Sequence, residues 1–484
     1  MGHVTAAADG RTRAGWEERF GAYGDLLGAV LGHADRRAPL RAYTTGLLLP
    51  GERKSIEPMA ARVEPFRVGA AHQSLHHFVA KAAWDDDALL AAVRGYALPA
   101  LEGRGPVRAW IVDDTGLPKT GKLSVGVARQ YCGQLGKQEN CQVAVTLSVA
   151  NEHASLPIAY RLYLPEGWAA DPARRAMAGV PEEVAFATKP AIALAQIRRA
   201  VADGVPPGVV VTDAGYGNDT DFRDGITALD LPYVAGIQGS TSLWPPGAAP
   251  LPAKPWSGRG RPPKLLRRDA EHQPLAATKL AMALPPEAWR RVSWREGTAG
   301  TLSSRFAALR VRPAHRDTER AEPRAKEWLL VEWPEGAKEP TTYGLSTLPE
   351  TATLEDLVAT AKLRWRIERD FEELKQELGL SHFEGRGWRG FHHHAALCIA
   401  AYGFLVVERC RFSPPGWRPR PQAPERPPSY RPRGSAGQTG AAQPRFHRDL
   451  APAPRCRAHE QPAAMPMLPP VLPSSAKLRE FVTR

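Results

Sequence analysis

The spacing of apolar residues changes along this chain, and each change predicts a change of structure. From residue 1 to about 100, segments such as L-L-G-A-V-L, A-P-L-R-A-Y-T-T-G-L-L and S-L-H-H-F-V-A-K-A-A-W carry apolar residues at helical intervals. Trp84-Asp85-Asp86-Asp87 supplies the carboxylates that favour a helix start. From about residue 107 the period shortens. V-R-A-W-I-V-D-D, C-Q-V-A-V-T-L-S-V-A and L-P-I-A-Y-R-L-Y-L read as successive strands, and Asn151-Glu152-His153-Ala154 suits a hairpin between the last two. A helix over K-P-A-I-A-L-A-Q-I-R-R-A-V-A-D follows, closed by Gly204. The continuous apolar run G-V-V-V-T-D then predicts a buried parallel strand ending in a carboxylate. A helix-like segment over 219–229 and a strand over 232–238 complete a block that reads as α/β, a mixed sheet covered by helices.

Residues 239–344 interrupt that order. They open on S-L-W-P-P-G-A-A-P, pass through W-S-G-R-G-R-P-P-K-L-L-R-R, and continue with strand-like F-A-A-L-R-V-R and E-W-L-L-V-E-W-P, which predicts a β-rich insertion. Beyond residue 410 the chain becomes Pro- and Arg-rich and aperiodic, so 411–484 reads as a disordered tail. The expected organisation is an N-terminal helical domain (1–100) suited to holding DNA or to dimerisation, a core (101–238 plus 345–410), the insertion and the tail.

Within the second part of the core, residues 363–380 read as one helix, L-R-W-R-I-E-R-D-F-E-E-L-K-Q-E-L-G-L. At about 100° per residue, Arg364, Glu368 and Lys375 fall within roughly 40° of one another. Leu363, Ile367, Phe371, Leu374 and Leu378 fill the adjoining arc. A carboxylate and two cations beside a buried stripe is a costly arrangement unless it serves a site.

Charge narrows the choice of partner. The net charge of +13 and a pI near 9.6 favour a polyanion, nucleic acid before an acidic membrane surface. No run of about 18 apolar residues is present, and the N-terminus lacks a basic-then-apolar leader pattern. Five scattered cysteines, without a C-x2-C pair, fit a reducing cytoplasm rather than a disulfide framework or a structural zinc site.

Two predicted strands end in acids, W-I-V-D-D-T-G (Asp113, Asp114) and V-V-V-T-D-A-G-Y-G (Asp213), and Glu368 adds a third from a helix able to pack beside the sheet. Carboxylates without Cys or His partners are hard oxygen ligands suited to Mg²⁺, with Mn²⁺ as a substitute. Paired hard cations serve phosphodiester chemistry, and a basic protein makes the nucleic-acid backbone the natural substrate. Taken with S-V-G-V-A-R-Q-Y-C-G-Q-L-G-K-Q-E-N-C-Q-V-A-V and R-W-R-I-E-R-D-F-E-E-L-K, these segments resemble bacterial DDE-type insertion-sequence transposases, in the branch whose third carboxylate lies in a Y-x2-R-x3-E-x6-K helix. The resemblance covers roughly residues 40–410. It implies a ribonuclease-H-like core with a β-rich insertion, two metal ions, cleavage of transposon-end DNA and strand transfer to target DNA, carried out by a homodimer in a synaptic complex. It also implies Asp213 and Glu368 as catalytic metal ligands and Arg364 and Lys375 as contacts to end phosphates. For the first acid, a D-x-T pattern selects Asp113 and an acidic pair before Thr selects Asp114; Asp113 is preferred. The chain departs from the family helix at Ala361, where the motif carries Tyr, and in its tail, where the family continues helical structure.

Other residues carry a functional and a plainer reading side by side. Arg259 and Arg261, in R-G-R-P, resemble an AT-hook arm for a narrow minor groove, or form a generic basic loop. Lys119 and Lys122, with Arg129 and Lys137, line a DNA channel or lie on an ordinary surface. Trp328 and Trp333 fit packing within a β layer better than stacking on a displaced base. His392-His393-His394 fit helix-start packing and phosphate contacts better than a metal site, because consecutive helical residues diverge by about 100°. Alternatives to a transposase are a ribonuclease-H-like nuclease without strand transfer and a decayed DNA-binding protein.

Overall fold

The computed structural model describes residues 3–297 and 300–412. The predicted tail, from residue 413 onward, lies outside the described residues. Helices come first: α1 (His3–Ala29), α2 (Arg37–Leu48), α3 (Ile56–Val63), α4 (Val68–Ala80) and α5 (Asp86–Glu102). The acidic start predicted at Trp84–Asp87 is an N-cap, with Asp85 accepting from the backbone N–H groups of Asp87 and Ala88 at 2.9 and 3.2 Å. Four strands follow, β1 (Ala109–Pro118), β2 (Ala128–Cys132), β3 (Lys137–Ala150) and β4 (Ser155–Leu162). The sequence pattern predicted three; glycines at 121, 126, 133 and 136 around the short β2 hide its alternation. The expected β3–β4 hairpin is present, paired antiparallel from Ala150↔Ser155 to Ala144↔Leu162.

Next come α6 (Glu166–Ala169), α7 (Pro172–Ala178) and α8 (Lys189–Ala202), then β5 (Val209–Thr212), α9 (Ala214–Gly217), α10 (Thr220–Thr227) and β6 (Tyr233–Ile237). Strand β5 lies parallel to β1 on one side and to β6 on the other, as the run G-V-V-V-T-D predicted. Strand β3 is antiparallel to β1 and carries β2 and β4 in turn along its outer edge. The order β4-β3-β1-β5-β6, with β1, β5 and β6 parallel, is the ribonuclease-H-like arrangement.

Residues 239–344 supply β7 (Ser242–Trp244), β8 (Leu275–Ala276), α11 (Ala277–Met282), β9 (Arg290–Gly297), β10 (Gly300–Pro313), β11 (Glu327–Trp333) and most of β12 (Thr342–Ser346). Their strands continue the same sheet, because β12 pairs with β6 on one edge and with β11 on the other. Three helices close the described chain: α12 (Leu354–Lys362), α13 (Trp365–Gln376) and α14 (Trp388–Phe412).

Helix α14 is buried from Gly390 to Glu408 and joins the N-terminal helices and the sheet in one core. Tyr23 donates its hydroxyl to Ala400 O at 2.8 Å, and Arg19 pairs with the buried Glu408 at 2.6 Å. A smaller cluster lies on the opposite face of the sheet: Ala109, Ile111 and Ala150 from β1 and β3, Val211 from β5, and Ile367 and Phe371 from α13. That second face holds the candidate site.

Candidate active site

Alternation along β1 decides which face each of its two acids takes. Ala109 and Ile111 pack under α13, whereas Trp110 and Val112 enter the main core. Asp113 continues the first series and Asp114 the second. On β5, Val211 faces α13 and Val210 faces the core, and Asp213 follows in extended backbone (φ −83°, ψ −177°). Ile111 pairs with Val211, so Asp113 and Asp213 leave adjacent parallel strands at the same level, two residues on.

Asp213 is held by the turn it starts. Its Oδ1 accepts from the N–H groups of Gly215 and Tyr216 at 2.9 and 3.3 Å. That turn lies directly on β6: a Cβ at Gly236 would stand 2.7 Å from Ala214 N and 2.8 Å from the carbonyl carbon of Asp213, and one at Gly217 would strike Gly236 O. Only glycine permits this approach.

Helix α13 brings the third acid. Of the segment predicted as one helix over 363–380, Trp365–Gln376 form α13, and Leu363 and Arg364 form a junction after α12 tightened by i→i−3 bonds. Arg364 stands at this junction. Its Nη1 donates to Asp113 Oδ2 at 2.6 Å and its Nη2 to Glu368 Oε1 at 2.6 Å. Side-chain exposure rises from 15% at Asp113 to 57% at Glu368, so the cluster opens to solvent along α13. Burial pushes the Asp113 carboxyl up to about 7; Arg364 opposes this and neighbouring Asp213 adds to it.

Asp114, on the other face, accepts from Lys189 Nζ at 2.7 Å and from the Tyr216 hydroxyl at 3.2 Å. Lys189 opens α8, and Tyr216 belongs to the turn capped by Asp213. Asp114 therefore touches the turn of the second acid without facing α13. Neither Lys189 nor Tyr216 stood out in the sequence, although Tyr216 lies inside D-A-G-Y-G.

The predicted cations separate. Lys375 donates to Gly116 O at 3.1 Å and to Gln134 at 3.4 Å. Lys119 donates to Phe383 O at 2.7 Å, and burial lowers the pKa of both lysines. Lys122 and Arg129 are exposed, as are Arg259 and Arg261, which lie on the loop between β7 and β8. Lys137 is exposed and pairs with Glu139. Trp328 and Trp333 sit in the β layer, their indole N–H groups bonded to Pro349 O and Ala337 O.

The histidine run requires a correction. His392, His393 and His394 do start α14, but they are 7%, 1% and 2% exposed and bound to backbone, so no phosphate reaches them. His392 accepts from Leu162 N and contacts Trp388 O; His393 lies between Val79 O and Trp84 O; His394 contacts the Tyr43 hydroxyl and Gly379 O. Helix α14 is apolar around its whole circumference, which carries even these polar side chains inside.

Among the described residues, no three His, Cys, Asp or Glu side chains form a ready cage for one metal ion. The Arg364 guanidinium spans Asp113 and Glu368 in place of such a cation. At Asp113 the lowering effect of Arg364 and the smaller raising effect of Asp213 both act beneath the larger effect of burial. The carboxylate oxygens are hard donors that fit Mg²⁺ or Mn²⁺.

Comparison with known proteins points the same way. The sequence model of a family described as DDE superfamily endonuclease matches residues 26–301, which include Asp113, Asp114 and Asp213 and stop short of Glu368. The chain is also 31% identical over 169 residues to the "Probable transposase for insertion sequence element IS701" of Microchaete diplosiphon. That alignment covers 35% of this chain and 41% of the relative's length. No helix among the described residues is long and apolar enough to cross a membrane.

Proposed function

The chain belongs to the DDE superfamily of endonucleases, and we propose that it is an insertion-sequence transposase that cuts DNA at element ends and joins those ends to target DNA. The observation that carries this reading is the placement of Asp113 and Asp213 at the ends of adjacent parallel strands, with Arg364 joining Asp113 to Glu368 of α13. In this reading Asp113, Asp213 and Glu368 hold two Mg²⁺ ions, or Mn²⁺ in their place. Such ions activate the attacking oxygen and stabilise the leaving one in phosphodiester chemistry.

The chain's own residues bind and position DNA. Arg364, once released from the carboxylates, offers a forked guanidinium to an end phosphate. Lys375 fixes α13 against Gly116 of β1, which holds Glu368 over the two strand ends. Asp114 positions the Asp213 turn through Tyr216 rather than binding metal. Residues 1–100 recognise element ends, and Lys122, Arg259 and Arg261 contact the backbone beyond the cut. The protein acts in the cytoplasm on the chromosome, as a homodimer that brings two ends together.

The test uses the purified full chain, Mg²⁺ and a duplex ending in the inverted repeat that flanks the gene. The expected products are nicked ends and joined molecules. Asp213→Ala and Glu368→Ala should lose cleavage while retaining end binding. Cutting by either variant at the wild-type rate overturns the reading, and nicks without joined products identify a nuclease instead.

A further inference from the structure

We propose that Arg295, carried by the β-rich insertion, is a further DNA-binding residue of this site and holds a backbone phosphate beside the one that is cut. The inference rests on the reading above that DNA is the substrate.

Arg295 lies on β9 opposite Leu302 of β10, near the end of their hairpin. Its guanidinium covers the ring of Trp365 at 4.1 Å. Trp365 is the first residue of α13, next to Arg364 and three residues before Glu368. The hairpin therefore places a second guanidinium at the solvent-open end of the carboxylate cluster. The electrostatics agree with this placement: burial lowers the pKa of Arg295, and Glu368 is the acid that opposes the shift.

The other arginines of β9 are satisfied by acids, Arg290 by Glu355 at 3.3 Å and Arg291 by Glu335 at 3.4 Å. Arg295 differs. Its Nε is buried without a hydrogen-bond partner among the described residues, and Oε1 of Glu368 accepts from Arg364. Stacking on Trp365 orients the planar fork while leaving its edge donors to bind. A buried donor left unsatisfied is unfavourable, and a multidentate anion removes that cost. Beside a phosphodiester-cutting centre, that anion is the DNA backbone. Nothing in the sequence around Arg295 signals this, because only the return of the β9–β10 hairpin across α13 brings it there.

The experiment measures binding of full-length protein to the inverted-repeat duplex over a range of salt. It repeats the measurement on duplexes carrying one neutral methylphosphonate at successive positions around the cut. Arg295→Ala should weaken binding and reduce the slope of log affinity against log salt by about 0.9, the loss of one phosphate contact. One methylphosphonate position should weaken the wild type and leave Arg295→Ala unaffected. Arg295→Lys should restore the salt slope but not the affinity, and Arg295→Gln replaces the alanine variant if that one does not fold. Equal affinity, slope and methylphosphonate profile in wild type and variants overturns the inference, while wild-type cutting and its loss in Glu368→Ala leave the transposase reading standing. Failure of the wild type to bind duplex DNA overturns both.

Discussion

Arg364 and Asp113 are joined across 251 residues of sequence by a 2.6 Å hydrogen bond, while the other terminal nitrogen of the same guanidinium holds Glu368. A side chain that neutralises two metal-ligand candidates competes with the metal. Arg364→Gln should therefore bind Mn²⁺ more tightly than the wild type when DNA is absent. The same variant should cut DNA roughly 10–100-fold more slowly, the usual consequence of losing a residue that orients metal ligands. Calorimetric Mn²⁺ titration with a parallel cleavage assay checks both; unchanged or weaker Mn²⁺ binding would show that the guanidinium does not compete.

The two adjacent acids of β1 should behave differently. Asp113→Asn removes a group facing Asp213 and α13, and should reduce cleavage below detection. Asp114→Asn loses the ion pair with Lys189 and weakens the contact with Tyr216. It should cost about 10–100-fold, with metal affinity nearly preserved. Side-by-side single-turnover cleavage decides the matter, and the reverse ranking would transfer the catalytic role to Asp114.

Gly236 and Gly95 make a paired stability test. Alanine at 236 would press on Ala214 N and the Asp213 carbonyl, so it should lose about 1–3 kcal/mol, as overpacked sites do. It should also impair cleavage by displacing the Asp213 carboxylate. Gly95 is exposed inside α5 with nothing within 4 Å of an added Cβ. Gly95→Ala should gain about 0.5–1 kcal/mol and leave cleavage alone. Denaturant melts of the three proteins supply the comparison.

His392 gives a pH prediction with a definite sign. Its Nε2 accepts from Leu162 N and its Nδ1 donates to Trp388 O, which suits a neutral ring, and burial lowers its pKa from 6.5 to about 4. Below pH 6.5 the unfolded chain protonates this residue and the folded chain does not, so its contribution to stability is present above 6.5 and is lost as pH falls towards 4. Half-buried Asp86, with its pKa raised to about 6, works in the opposite direction, so the informative quantity is a difference between proteins. His392→Leu should melt below the wild type at pH 7.5, and the gap should narrow steadily to pH 4.5. A gap independent of pH would contradict the neutral, buried ring.

The sequence pattern located the strands that carry the acids because buried parallel strands ending in polar residues leave a strong local trace. It also anticipated the start of α5, the β3–β4 hairpin and a β-rich stretch after β6. It missed β2, whose flanking glycines conceal the alternation, left α12 unread, and carried α13 on to residue 380, past its end at Gln376. The candidate site was legible in Asp113, Asp213, Arg364 and Glu368. The bond from Lys375 to Gly116 O was not legible, because helical phase gives the direction of a Cβ and not the partner that a long side chain chooses. The histidines were given phosphate contacts beside their packing role because a helix buried on every side has no polar face to reveal their setting.

The pairing of β12 with β6 has a mechanical consequence. An insertion tethered only by loops could swing over bound DNA as a free flap. One stitched edge to edge into the sheet must carry any displacement through β6 to β5, whose end holds Asp213. On the proposed function, DNA pressing on the β9–β10 hairpin would twist the strands beneath the carboxylates, coupling grip on the substrate to alignment of the cutting centre in one stiff lever.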